Sequence, residues 1–311
     1  MLGTLAFIIG ISTLGFLLIL SLVGGLNLYS LVSMVALFNI VQWLVAPYLV
    51  NSVYQVKKLD EPDNPILFAK VEELSRKSGI KTPKVMISSL SIPNAFAYGS
   101  PLTGSHVALT RGLLNELEQD EINAVIGHEL GHLKHRDVHI MMVASFLPSL
   151  FYILARSFMY SSYYRGRSRE SSSGTALIGG LSMVIYLILL VFILNLSRLR
   201  EYYADQHSSN ILENGGRTLS RALAKISTST WRIQNSRGGK PPVSSFKTLF
   251  ITDPDKAEQD VAMIHAARYR EDDDPLVRSI LGRKITWGDR ITELFSSHPN
   301  IIKRLRVLNS S

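Results

Sequence analysis

Long apolar runs and short amphipathic stretches alternate along this chain. No charged residue occurs from Leu2 to Val56. Gly24-Gly25-Leu26-Asn27 divides that region into two runs, Leu2–Leu26 and Asn27–Val56, each longer than the ~20 residues a helix needs to cross ~30 Å of hydrocarbon. The pattern predicts a membrane hairpin over residues 1–56. A cleaved leader does not fit, because the first run has no basic start and a second run follows at once. Lys57 and Lys58 end the pair and place the next segment, with the N-terminus, on the cytoplasmic side by the positive-inside rule. A third run, Val138 to Tyr160, is interrupted by Pro148 and Arg156, and a fourth, Thr175 to Leu196, is uncharged. Together they predict a second hairpin over residues 138–196. Arg165, Arg167 and Arg169 in its polar connection oppose that orientation, whereas Lys134, Arg136, Arg198 and Arg200 at the other ends support it.

The stretches between these runs have other periods. Asp63 to Gly79 reads as an amphipathic helix with Pro65 in its first turn, Leu67, Val71 and Leu74 on one face, and Gly79 as its stop. Three strand-like pieces follow: Lys84 to Ser88, Asn94 to Gly99, and His106 to Thr110. The small residues of Asn94-Ala95-Phe96-Ala97 suit an edge strand that an extended peptide can join, and equally a core strand. The next helix has Asp120 as its expected N-cap, Glu121 in its first turn, and Ile122, Val125, Ile126 and Leu130 at helical spacing. The fold class expected is mainly α with a small β-sheet. It is an integral membrane protein with four apolar helical segments, whose polar parts, residues 57–137 and 197–311, are two halves of one domain.

Composition narrows this picture. Hydrophobic residues make up 46% of the 311-residue chain and charged residues only 19%, which agrees with membrane segments. There is no cysteine, so any metal must be held by His, Asp or Glu. The net charge is +8, but the basic residues are scattered among acids and form no nucleic-acid motif. Anionic lipid headgroups are the better partner.

The chemistry concentrates in Gly127-His128-Glu129-Leu130-Gly131-His132. It matches H-E-x-x-H, in which two imidazoles one helical turn apart grip one zinc ion. Glu129 points about 100° around the helix from His128, the place of a general base rather than a ligand. Downstream, Ser197-Arg198-Leu199-Arg200-Glu201-Tyr202-Tyr203-Ala204-Asp205 follows the fourth apolar run. If the third and fourth runs pack as an antiparallel hairpin, Glu201 arrives beside the histidines as a third ligand, with the fourth position open for water. Asp205, one turn on, can bond the second nitrogen of a ligand histidine. The other reading of Glu201 is a surface carboxylate paired with Arg198 or Arg200. His135, His139 and His207 remain as rival or supporting histidines. Gly and His do not occupy positions 135 and 138, which excludes the metzincin pattern.

These residues carry a resemblance. Gly127 to Asp137, Ser197-Arg198 through Asp205, the upstream Asn94 to Ala97, and Ser297-His298-Pro299 with Arg304 and Leu305 resemble the HtpX family of membrane zinc metallopeptidases. That family belongs to the gluzincins and is related to the type I CAAX prenyl proteases. The resemblance implies a zincin-type cytoplasmic metallopeptidase domain with one Zn2+ per chain on His128, His132 and Glu201, and with Glu129 as base and acid. It implies Asp205 as a supporting residue, Asn94, Ala95, Phe96 and Ala97 as the substrate-pairing edge, and His298 as an oxyanion stabiliser. It further implies a multi-pass protein of the cell membrane that cleaves misfolded or damaged membrane proteins. Residues 235–287 match the family pattern poorly and read as a mobile insertion over the cleft. A CAAX-type prenyl-peptide protease, a membrane adaptor with structural zinc, and a metal-free lipid-surface module are the competing functions.

Overall fold

The structure, a computed structural model, describes residues 28–164, 172–236 and 285–310, together with Val277, Leu281 and Gly282. The expected first apolar run, the arginines of the polar connection and most of the expected insertion lie outside the described residues. The chain divides into two compact units, one formed by Met1–Trp43 and His139–Leu196, the other by Leu44–Val138 and Ser197–Ser311.

The first unit contains most of α1 (Leu28–Val53), α5 (Asp137–Tyr164) and the first part of α6 (Ser172–Ile211). Among the described residues three helical segments are long and apolar enough to cross a membrane: Val32–Val53, Asp137–Met159 and Ala176–Ile211. Their exposed faces are apolar. Leu37, Val41, Val143, Leu147, Leu177, Leu181, Ile188 and Phe192 all point outwards, which in water would be an aggregation liability and in lipid is ordinary solvation. Inside the unit, Val35 and Ile153 pack with Phe146 and Leu150, while Tyr186, Leu190 and Leu194 pack with Phe151 and Tyr152. The α5 helix continues through Pro148, and Trp43 meets His139 edge-on at 5.1 Å.

The second unit is built on a four-stranded sheet in the order β1-β2-β4-β3, from β1 (Val56–Lys58), β2 (Lys84–Ser88), β3 (Ala95–Ser100) and β4 (Gly104–Thr110). The β2–β4 pair is parallel and the other two pairs are antiparallel. Period-two alternation sends Val107 and Leu109 of β4 into the main core and Ala108 into a smaller cluster with Tyr54, Met86, Phe96 and Tyr98 on the other face. The main core adds Leu67, Val71 and Leu74 of α2 (Pro65–Ser78), Val125, Ile126 and Leu130 of α4 (Gln119–Lys134), Leu219 and Leu223 of α7 (Gly215–Ser236), and Ile302 and Leu305 of α9 (Ile301–Ser310). Gly79 closes α2 in the left-handed conformation, φ +69°, as its position after the periodic residues predicts. A short α3 (Arg111–Glu116) separates the sheet from α4, and α8 (Trp287–Leu294) precedes α9.

One helix start is corrected. The N-cap of α4 is Glu118, not Asp120. The Glu118 backbone N–H donates to Glu121 Oε2 at 2.9 Å, so the capping box sits two residues earlier than Asp120 requires. Glu121 is buried there and held by Lys225 Nζ at 2.8 Å.

Candidate metal centre

Two helices make the site, and glycine lets them meet. A Cβ on Gly131 of α4 would lie 2.9 Å from the Ala204 Cα of α6, and one on Gly127 would lie 3.0 Å from Ser208 Oγ. Ser208 Oγ in turn donates to the Ala124 carbonyl at 2.7 Å. The α6 backbone therefore lies directly against the motif helix, and residues one and two turns before Ser208 face the histidines. Gly131→Val should force the helices apart, with a loss of roughly 1–3 kcal/mol. The measurement is the thermal midpoint in detergent alongside metal affinity, and both are expected to fall.

His128, His132 and Glu201 offer one ligand atom each within 4.8 Å of one another. His128 Nε2 and His132 Nε2 are 3.2 Å apart, and each lies 3.6 Å from a Glu201 carboxylate oxygen. The two contacts fall on different oxygens of Glu201, and ligands at ~2.0–2.1 Å around a tetrahedral zinc sit about 3.3 Å from each other, so the group is close to the size one zinc ion requires. The outward nitrogens both face carboxylates. His132 Nδ1 lies 2.6 Å from Asp137 Oδ2, and His128 Nδ1 lies 2.9 Å from Asp205 Oδ1. Carboxylates on both Nδ1 atoms favour the tautomer that leaves Nε2 free for a metal. Glu201 Oε2 is buried and makes no full hydrogen bond, facing His128 Nε2 at 3.6 Å and Arg304 Nη1 at 3.3 Å, which leaves it able to take a metal. The residues fit zinc.

Electrostatics agree with that fit. Burial opposes charge on the His128 ring, yet the Asp205 and Glu201 carboxylates beside it raise its pKa to about 9. The pocket thus favours positive charge. Burial pushes the Glu129 carboxyl up, against the pull of both histidines, while an Ala97 backbone N–H donates to it. Glu129 is thus within reach of both histidines and of the Ala97 main chain on β3.

Strand β3 is at the edge of the sheet. It pairs with β4 from Ala95↔Leu109 to Ser100↔Gly104, and the Thr110 N–H bonds the Asn94 carbonyl at 2.9 Å. Alternation from that bond turns the main-chain groups of Ala95 and Ala97 towards the open side. Phe96 is packed against Tyr54 at 4.9 Å, so its side chain belongs to the core while its neighbours keep the edge. His298 also reaches the site, with Nδ1 3.5 Å from Glu201 Oε1.

The remaining histidines lie elsewhere. His207 Nε2 is 2.9 Å from Ser78 Oγ, which already donates to the Leu74 carbonyl. His135 caps α4 beside Tyr203 and His207.

Two site residues had no role in the sequence reading. Arg304 of α9 is 1% exposed and forks onto Asp205, Nε to Oδ2 at 2.8 Å and Nη2 to Oδ1 at 2.6 Å, with Nη1 3.3 Å from Glu201 Oε2. Asp137 turns back to His132 because Arg136 takes a left-handed conformation, φ 56°, between α4 and α5. An acid following an arginine immediately after the motif helix was the available signal for Asp137. Arg304 had none beyond its place in the resemblance.

A family model described as peptidase family M48 matches residues 62–311. The protein named Protease HtpX homolog from Aeropyrum pernix is 36% identical over 276 residues, covering 86% of this chain and 82% of its own length. The protein of the same name from Thermoplasma acidophilum is 36% identical over 273 residues, covering 86% and 80%. Protease HtpX homolog 2 from Saccharolobus solfataricus is 34% identical over 278 residues, covering 86% and 81%. Among solved structures, the crystal structure of S. mikatae Ste24p superposes with a TM-score of 0.58 at 19% identity, covering 98% of this chain. The chain spans 64% of the length of Ste24p, and the likeness is one of fold.

Proposed function

This chain belongs to peptidase family M48, and from that premise we propose that it is a zinc-dependent endopeptidase acting at the cytoplasmic face of the cell membrane on misfolded or damaged membrane proteins. The observation that carries the reading is the group of His128, His132 and Glu201, with Glu129 in reach of both histidines and of the edge strand β3. His128, His132 and Glu201 would hold one zinc ion. When bound, zinc supplies Lewis acidity at the scissile carbonyl.

The other steps belong to the protein. The substrate lies extended along β3, bound through its main chain by the main-chain groups of Ala95 and the Ala97 carbonyl, the Ala97 N–H being held by Glu129, which accounts for low sequence preference. Glu129 takes the proton of the attacking water and hands it to the leaving amine. A carboxyl whose pKa burial has raised suits a group that must carry a proton briefly. Asp137 and Asp205 keep the two imidazoles oriented. His298, beside Glu201, is placed to donate to the oxyanion.

Metal content tests the reading. Purified wild-type chain should carry one equivalent of zinc, and Glu201→Ala should bind it at least ~100-fold more weakly, since losing even an outer partner of a ligand costs about 10–100-fold. Equal zinc in both proteins removes Glu201 from the site and the group with it.

A further inference from the structure

The α8 helix presents an apolar face that no other described residue covers. Trp287, Ile291 and Leu294 are 76%, 42% and 49% exposed, and Phe295, at the helix C-cap, is 52% exposed. At about 100° per residue these four fall within a ~100° stripe. The opposite side is polar and engaged. Glu293 is buried, accepting from the Asn300 N–H at 3.2 Å and pairing with Lys303, and Asp289 caps the helix through Thr286.

A second observation gives this face a depth. Arg198 donates through Nη1 to the Glu293 and Ser296 carbonyls, at 2.6 and 2.9 Å, so the C-terminal end of α8 is fixed to α6 at Arg198. Arg198 is also the first charged residue after the apolar half of α6. Counted from Ala176, where the candidate span begins, Arg198 lies about 33 Å along the helix, just beyond a ~30 Å hydrocarbon layer. The outward apolar stripe of α6 does not stop there. Leu181, Ile188, Phe192, Leu199 and Tyr203 are all exposed and fall within about 60° of one another around the axis. Exposed apolar residues thus continue along α6 past Arg198, and α8 is bonded to the helix at Arg198. Trp is a side chain that the headgroup boundary favours.

We propose that α8 is an interfacial helix, its Trp287, Ile291, Leu294 and Phe295 face bedded at the boundary between lipid headgroups and acyl chains. The inference rests on the membrane reading of the proposed function and deepens it. The turn from Ser296 to His298 begins where α8 ends, so the bilayer surface holds the segment that carries His298 to Glu201.

The test is a depth measurement on the full chain in phosphatidylcholine liposomes. Tryptophan occurs only at 43, 231 and 287, so Trp43→Phe with Trp231→Phe leaves Trp287 as the single emitter. Bromine placed high on the acyl chains should quench it ~2-fold or more, and deep bromine should quench it less, as expected for a face buried ~5–10 Å into the boundary. Water-like emission without quenching overturns the proposal. So does blue-shifted emission without quenching, which would mean that a second copy or another segment of this chain covers the face. The chain has no cysteine, so Trp287→Cys with a spin label repeats the measurement with Trp43 and Trp231 in place. Neither reading requires cleavage. Repeating them on Glu129→Gln separates failure of this inference from failure of the peptidase reading.

Discussion

Glu129→Gln is expected to abolish cleavage while the zinc stays bound. The two side chains are nearly the same size, and Glu129 is 3% exposed in a packed helix, so the fold has no reason to respond. The Ala97 N–H that reaches the carboxylate can bond an amide oxygen equally well. What disappears is the ability to accept a proton and give it back. General acid–base catalysis of this kind contributes about 10²–10⁴-fold, or roughly 3–5 kcal/mol of barrier. Casein or a model membrane substrate in detergent, assayed beside the metal content of each sample, gives the answer. Undiminished turnover at equal zinc would remove Glu129 from the mechanism.

The second large effect is on stability. Arg304→Met leaves the Asp205 and Glu201 carboxylates buried without the guanidinium that now bridges them. Removing one partner of a buried ion pair costs about 3–5 kcal/mol. The burial that opposes a charge on Arg304 is outweighed by those carboxylates, and its pKa stands above the ordinary arginine value. Lysine should rescue little, because a single ammonium cannot reproduce a fork that bonds both Asp205 oxygens. Asp205→Asn should recover part of the loss in an Arg304→Met background, and the double-mutant cycle measures the coupling. A thermal midpoint in detergent that does not change with Arg304→Met would refute the pairing.

Local patterns in the sequence account for most of the site. The His128–His132 pair is read from spacing alone, because one helical turn dictates where two side chains meet. Glu201 follows from a chain argument, since it stands where charge resumes after an apolar run. The HtpX resemblance, drawn from the same residues, agrees with the family found by comparison. Arg304 was out of reach because its contact spans 99 residues, and no periodicity in α9 distinguishes a buried arginine from a solvated one. Gly127 and Gly131 form a small-residue pair four apart, the spacing that permits close helix contact, and they overlap the H-E-x-x-H pattern. The Asp120 cap failed for a different reason. Glu118 and Asp120 both precede acidic first-turn positions, and only the reciprocal bond between Glu118 and Glu121 decides between them. The end of the fourth apolar run at Leu196 marked a change of composition rather than of backbone, so α6 continues to Ile211.

That unbroken helix has a mechanical consequence. From Ser172 to Ile211 no loop intervenes, so the greasy stripe and the Glu201 carboxylate share one torsional phase over a rod of about 60 Å. Adding one residue midway would twist its halves by about 100° against each other, and either the oily side would swing inward or Glu201 would swing off its imidazoles. Length changes in this rod should therefore be tolerated only in whole-turn steps, as in a keyed shaft.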